Sequence, residues 1–206
     1  MPSNPVKAVM PTLFSRQTEE KKSRAPYHQF LDRRHPDHYR RHEVKALVQA
    51  VQARENRLLL ELPGMGASNL MRFVASQANR LFPMPTAVAY INCDALEGCQ
   101  KTDLLFAEIA YQLQEQGVGG DRLLSAKDYT GLRRLLTQTT LDPSIRLLLM
   151  VDQATYLLAN APASFYRQLK ALSDLNKRVC YVIAAPVSLA GKIDPEDLLF
   201  AGRRIS

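Results

Sequence analysis

The sequence predicts an α/β fold, a mostly parallel sheet layered between helices. Short apolar runs alternate with stretches of helical period, the runs are apolar on both faces, and glycine, proline or capping residues punctuate the changeovers. No apolar run approaches the roughly 18 residues of a membrane span. No apolar stretch follows the basic N-terminal residues, so the chain does not open on a secretory signal. Three cysteines, Cys93, Cys99 and Cys180, are too few and too irregularly spaced for a disulfide framework, and the reducing cytoplasm is the expected compartment.

The expected organisation is a leader over residues 1–38 and an α/β domain over 39–206. The leader carries Pro2, Pro5, Pro11, Pro26 and Pro36 and the run "EEKKSR". Residues 1–50 hold ten Lys/Arg against five Asp/Glu, while the remainder is nearly balanced at 17 against 15. A basic arm ahead of a neutral domain can contact nucleic-acid phosphates.

"HEVKALVQAVQ" places Val44, Leu47, Val48 and Val51 on one face of a helix. "RLLLEL" (57–62) reads as a buried strand, followed by a helix from Ser68 to about Leu81. "TAVAYINC" (86–93) is rich in strand-preferring residues. "TDLLFAEIAYQLQEQG" (102–117) opens on a Thr/Asp cap and stops at Gly117. A further helix is expected over 128–140, weakened by Gly131, and the most apolar strand over 144–153. A helix beginning at Pro162 (161–176) and a strand "RVCYVIAAP" (178–186) complete the pattern.

The turn after the first strand, "LPGMGASN", sits where a phosphate-binding loop sits, between a strand and a helix. Such loops follow G-x-x-x-x-G-K-S/T: backbone amides surround phosphate, the lysine reaches the terminal phosphates and the hydroxyl holds magnesium. Here Glu61 stands at the first glycine, Gly66 at the second, Ala67 at the lysine and Ser68 at the hydroxyl. The plain alternative is a tight turn with Ser68 capping the helix. A lost hydrogen bond to a charged group weakens binding by about 1.5–3 kcal/mol, roughly 10- to 150-fold. Catalysis suffers more, because the lysine also neutralises charge in the transition state.

A second site would lie at the end of "LLLMVDQ", where Asp152 could face a metal. The next residue is Gln153, whose amide orients a water but cannot act as a general base. The two partial motifs fall in the expected order on separate strands.

With these residues in hand, the chain resembles the ATP-binding domain of AAA+ and STAND-type P-loop ATPases, in particular the origin-recognition and transposition-type AAA+ branch. "YRRHEVKALVQAVQ", "LLLELPGMGASNLMRFVA", "AVAYINCDALEGCQKTDLLFAEIAYQL", "RLLLMVDQATYLL" and "RVCYVIAAP" carry the likeness. The resemblance implies a three-layer α/β/α P-loop NTPase core, here without the small helical lid. It implies ATP or ADP on Pro63, Gly64, Met65, Gly66, Ala67, Ser68 and Asn69, with Ser68 and Asp152 toward Mg2+. Arg203 or Arg204 would be the arginine finger reaching a neighbour's nucleotide, against the plain alternative of a basic C-terminal end. Glu61, Ala67, Gln153 and the apolar pair Ala185–Pro186, where a polar sensor is usual, all depart from the hydrolysing pattern.

The expected function is therefore a nucleotide-binding regulatory or scaffold module with impaired or absent hydrolysis, working through a protein partner or a homo-oligomer, with possible nucleic-acid contacts from the basic segment. The alternatives are a pseudo-ATPase that binds no nucleotide and serves as a protein- or DNA-interaction domain, and an active ATPase completed by a neighbour's arginine. The histidines His28, His35, His38 and His42 lie among prolines and arginines and make a poor metal site.

Overall fold

The computed structural model describes residues 39–62, 64–96, 102–118, 127–138, 144–175, 177–189 and 204–205. The basic leader 1–38, with three of the four histidines, Pro63, Cys99 and Arg203 lie outside them, as do the side chains of Glu61 and Arg204.

Five strands form one parallel sheet in the order β2-β3-β4-β1-β5. They are β1 (Arg57–Glu61), β2 (Thr86–Asn92), β3 (Arg146–Asp152), β4 (Val179–Pro186) and β5 (Arg204–Ile205). The helices are α1 (Arg41–Gln52), α2 (Ala67–Ser76), α3 (Ala78–Leu81), α4 (Thr102–Glu115), α5 (Tyr129–Gln138), α6 (Thr155–Asn160) and α7 (Ala163–Leu175). Parallel strands cannot be joined by tight hairpins, so crossover helices cover the sheet.

The strands are apolar on both faces because each face meets its own helix layer. Ala87, Ala89, Ile91, Leu147, Leu149, Val151, Tyr181 and Ile183 join the core filled by Phe106 and Ile109 of α4, Leu132 of α5 and Phe165 and Leu169 of α7. The alternate residues Val88, Tyr90, Leu148, Met150, Cys180 and Val182 join Leu47 and Val51 of α1 and Leu70, Met71 and Val74 of α2. The period of two along each strand thus sorts side chains into two cores. Cys180 is deeply enclosed, and burial pushes its thiol up to about 11, leaving it protonated and inert near neutrality.

Local signals set several boundaries. Gly117, at φ 81°, ends α4: the Gly117 amide donates to the Gln114 carbonyl and the Val118 amide to the Leu113 carbonyl. This pair of bonds is the glycine-dependent helix stop. The helix expected from Ser68 to Leu81 is two helices, α2 and α3, meeting at Gln77. Of these strands and α-helices, α6 and β5 escaped the sequence reading: α6, six residues long, is too short to show a helical period, and β5 comprises two residues.

The outer edge of β2 is covered by side chains. Gln112 of α4 accepts from the Tyr90 amide at 2.8 Å and donates to the Tyr90 carbonyl at 3.0 Å. Gln116, one helical turn on, does the same for Val88, at 2.9 and 2.6 Å. Two carboxamides thus complete backbone pairing that a further strand would otherwise supply.

Candidate functional site

The candidate site is built where β1 gives way to α2. Gly64 and Gly66 lie at φ 82° and 80°, left-handed values that residues with a Cβ rarely adopt. Gly66 is the N-cap of α2, so the helix starts at Ala67, and Ser68 is its second residue rather than its cap. The Leu70 amide donates to the Gly66 carbonyl, closing the first turn. Ser68 and Asn69 therefore place their amides where helical geometry offers no acceptor, the arrangement that favours anions. Ala67, at the position of the missing lysine, is buried in the core shared with α1.

β4 lies between β1 and β3, and Ser68 reaches past its end to the end of β3. The Ser68 hydroxyl donates to Asp152 Oδ1 at 3.0 Å. The two partial motifs, 84 residues apart, thus meet in one place. Asp152 is fully buried. Its Oδ1 also accepts from the Gln153 amide at 2.9 Å, and its Oδ2 accepts from the Tyr90 hydroxyl. Tyr90 in turn accepts from Arg72 Nε of α2 at 3.1 Å. Burial, reinforced by the bond to Asp152, pushes the Tyr90 hydroxyl above its ordinary range, so it remains a donor at neutral pH. Gln153, at φ 54°, folds back so that its Nε2 donates to Ser68 Oγ at 2.9 Å.

Whether this donor set fits magnesium can be read from those bonds. Mg2+ favours near-octahedral oxygen ligands, commonly one or two carboxylates with several waters. Asp152, the carboxylate bonded to Ser68, carries three donors on its two oxygens, and Ser68 Oγ faces a carboxamide N–H. Among the described residues, no group of three or more His, Cys, Asp or Glu side chains could hold a metal ion. The described residues do not fit a tightly held ion as they stand.

The rim of the loop is held by Arg40, which precedes α1 with φ 40°. Its Nη1 donates to the Met65 carbonyl at 2.9 Å and its Nε to Glu43 at 3.0 Å. A Cβ added at Gly66 would lie 3.8 Å from Arg40 Nη1, so the guanidinium flanks the loop itself. Leu62 and Met65 are exposed beside it. Tyr156, after β3, and Val187, after β4, are exposed too.

Of the residues singled out from sequence, Gly64, Met65, Gly66, Ala67, Ser68 and Asn69 form the loop and the first turn of α2, and Asp152 and Gln153 converge on Ser68. Ala185 and Pro186 end β4 opposite Leu60 and Glu61. Arg204 lies on β5, paired with Leu58 of β1. Arg40, Tyr90 and Arg72 were not singled out. Arg40 is one of several arginines around 40, and only the strand register reveals that Tyr90 shares a face with Asp152.

The parallel sheet between two helix layers is the fold of a P-loop NTPase core, and solved structures share it. The chain is similar to the ORC1 protein of Aeropyrum pernix, solved in complex with DNA, with a TM-score of 0.58 and 16% identity over 81% of this chain and 44% of that one. It is also similar to Drosophila ORC bound to DNA, with a TM-score of 0.54 and 17% identity over 82% of this chain and 42% of the other. The chain spans less than half the length of either. No family model matches the sequence, nor does any curated protein.

Proposed function

We propose that the chain is a nucleotide-binding module of AAA+ type that works as a switch or scaffold, with hydrolysis impaired or absent. One observation carries this reading: the glycine loop and the aspartate strand, each incomplete in sequence, assemble into one site through the 3.0 Å bond between Ser68 and Asp152. ATP or ADP phosphates would lie against the loop and the first turn of α2. Arg40 brings to the rim a positive charge that Ala67 cannot supply. Two groups that hydrolysis uses are replaced in the sequence, the lysine by Ala67 and the glutamate by Gln153, which cannot take a proton and whose amide is engaged with Ser68. Leu62, Met65, Tyr156 and Val187 offer exposed apolar surface after the carboxyl ends of β1, β3 and β4, where a bound nucleotide could alter docking of a protein partner or a second copy.

Isothermal titration of the full chain with ATP tests the reading. Binding with Kd about micromolar, weakened in Ser68→Ala, is expected. Absence of heat at high protein concentration would overturn it. It would favour the second reading, a pseudo-ATPase acting as a protein- or DNA-interaction domain, which the internally bonded Ser68, Asp152 and Gln153 side chains support. A residual basic-segment contact with DNA would then show as salt-dependent affinity lost on removing residues 1–38.

A further inference from the structure

We propose that this site takes its nucleotide as the free phosphate anion, without a divalent cation, because the protein's own donors occupy the places a metal would need. The inference rests on the nucleotide reading above and adds how the charge is handled.

A phosphate-loop hydroxyl ordinarily gives its proton to a carboxylate and turns a lone pair to the metal. Ser68 does the first, donating to Asp152. Toward the second it meets Gln153 Nε2 at 2.9 Å, the positive end of a carboxamide. A glutamate at 153 would be repelled by Asp152 and drawn to a cation. The glutamine instead substitutes a fixed N–H for that cation.

Asp152 is closed in the same way. Its Oδ2, the oxygen that Ser68 leaves unengaged, already accepts from the Tyr90 hydroxyl. Gln153 contributes its backbone amide to the other oxygen. Arg72, bonded to the far side of Tyr90, brings a permanent positive charge toward the buried carboxylate through that hydroxyl. A buried carboxylate with three hydrogen bonds is satisfied without a metal. The chain Arg72–Tyr90–Asp152–Ser68–Gln153 thus spans α2, β2, β3 and the turn after β3 as one hydrogen-bonded unit. Neutralising the phosphates falls to the first turn of α2 and to Arg40 at the rim.

The test is titration of the full chain with ATP in excess EDTA and again in excess magnesium. Wild-type affinities within about twofold of each other are expected. Gln153→Ala, which removes the carboxamide without touching the core, and Tyr90→Phe, which keeps the ring and frees Asp152 Oδ2, are both expected to make binding magnesium-dependent, about fivefold tighter with the ion. Two variants guard against misfolding in either, and a thermal melt accompanies each. Wild-type binding seen only with magnesium would overturn this inference and leave the nucleotide reading standing. Variants as indifferent to magnesium as the wild type would overturn the role given to Gln153 and Tyr90. No binding in either buffer would sink both readings together.

Discussion

At the rim of the loop, Arg40 spans from the start of α1 to the Met65 carbonyl while partly in contact with water, its charge shared with Glu43. At the floor, Asp152 is wholly removed from water and gathers Ser68, Tyr90 and the Gln153 amide. The same kinds of group, a charge and its hydrogen bonds, are held in two regimes. Partly exposed ion pairs contribute little because water and salt compete for both partners. A buried carboxylate leaves its donors stranded if it is lost. Losses at the floor should therefore show first in folding, while losses at the rim should show in binding with little cost to folding.

Asp152→Ala breaks the comparison hardest. It strands three donors and should lower unfolding free energy by about 3–5 kcal/mol, read from urea denaturation. A loss no greater than that of a rim variant would refute the assignment of the floor to folding. Gly66→Ala should act next, destabilising by about 1–2 kcal/mol through its left-handed backbone. No clash is involved, since the new methyl would meet only Arg40 Nη1 at 3.8 Å. Gly64→Ala, with φ 82° and nothing within 4 Å, should match it in the same denaturation series. Equal stability of both variants with wild type would show that the loop's backbone conformation is not fixed in the folded chain.

Arg40→Ala sharpens the contrast from the other side. Stability should fall by less than about 1 kcal/mol, while ATP affinity falls by roughly tenfold and loses part of its salt dependence. Unchanged affinity would remove Arg40 from the site. The smallest effect is one of pH. Tyr90 holds its proton more tightly when folded than at its ordinary value of 10.0, first through burial and then through Asp152. Its share of stability is whole below about pH 10 and falls as pH rises past it. Tyr181 and Tyr166 are raised as well and add to the same decline. Tyr90→Phe should make the alkaline fall of the melting temperature shallower, without abolishing it.

The sheet was legible because its signal is local. "LLLMV" and "VCYVIAA" are apolar at consecutive positions, which a strand between two helix layers demands. Gly117 announced the end of α4 because glycine enters the left-handed conformation without the cost a Cβ brings. The loop was legible from Gly64, Gly66 and Ser68 standing between a strand and a helix. The way the site is closed was not legible. Tyr90 reads as an ordinary strand aromatic until β2 and β3 are set in register, with Asn92 beside Asp152. Gln153 reads only as a failed glutamate, since nothing local tells that its backbone turns to φ 54° and sends the side chain back to Ser68. Arg40 reaches a carbonyl 25 residues away, beyond any periodic pattern.

The glutamine pair along β2 has a bearing on how copies of this chain could meet. A bare outer strand invites a neighbour to zip onto it, and that route leads to ribbons as readily as to rings. With Gln112 and Gln116 occupying the main chain at Tyr90 and Val88, this border is already spoken for. A second molecule approaching there would find side chains rather than a template. Strand-to-strand joining is therefore closed off along this border, whatever the rest of the surface does.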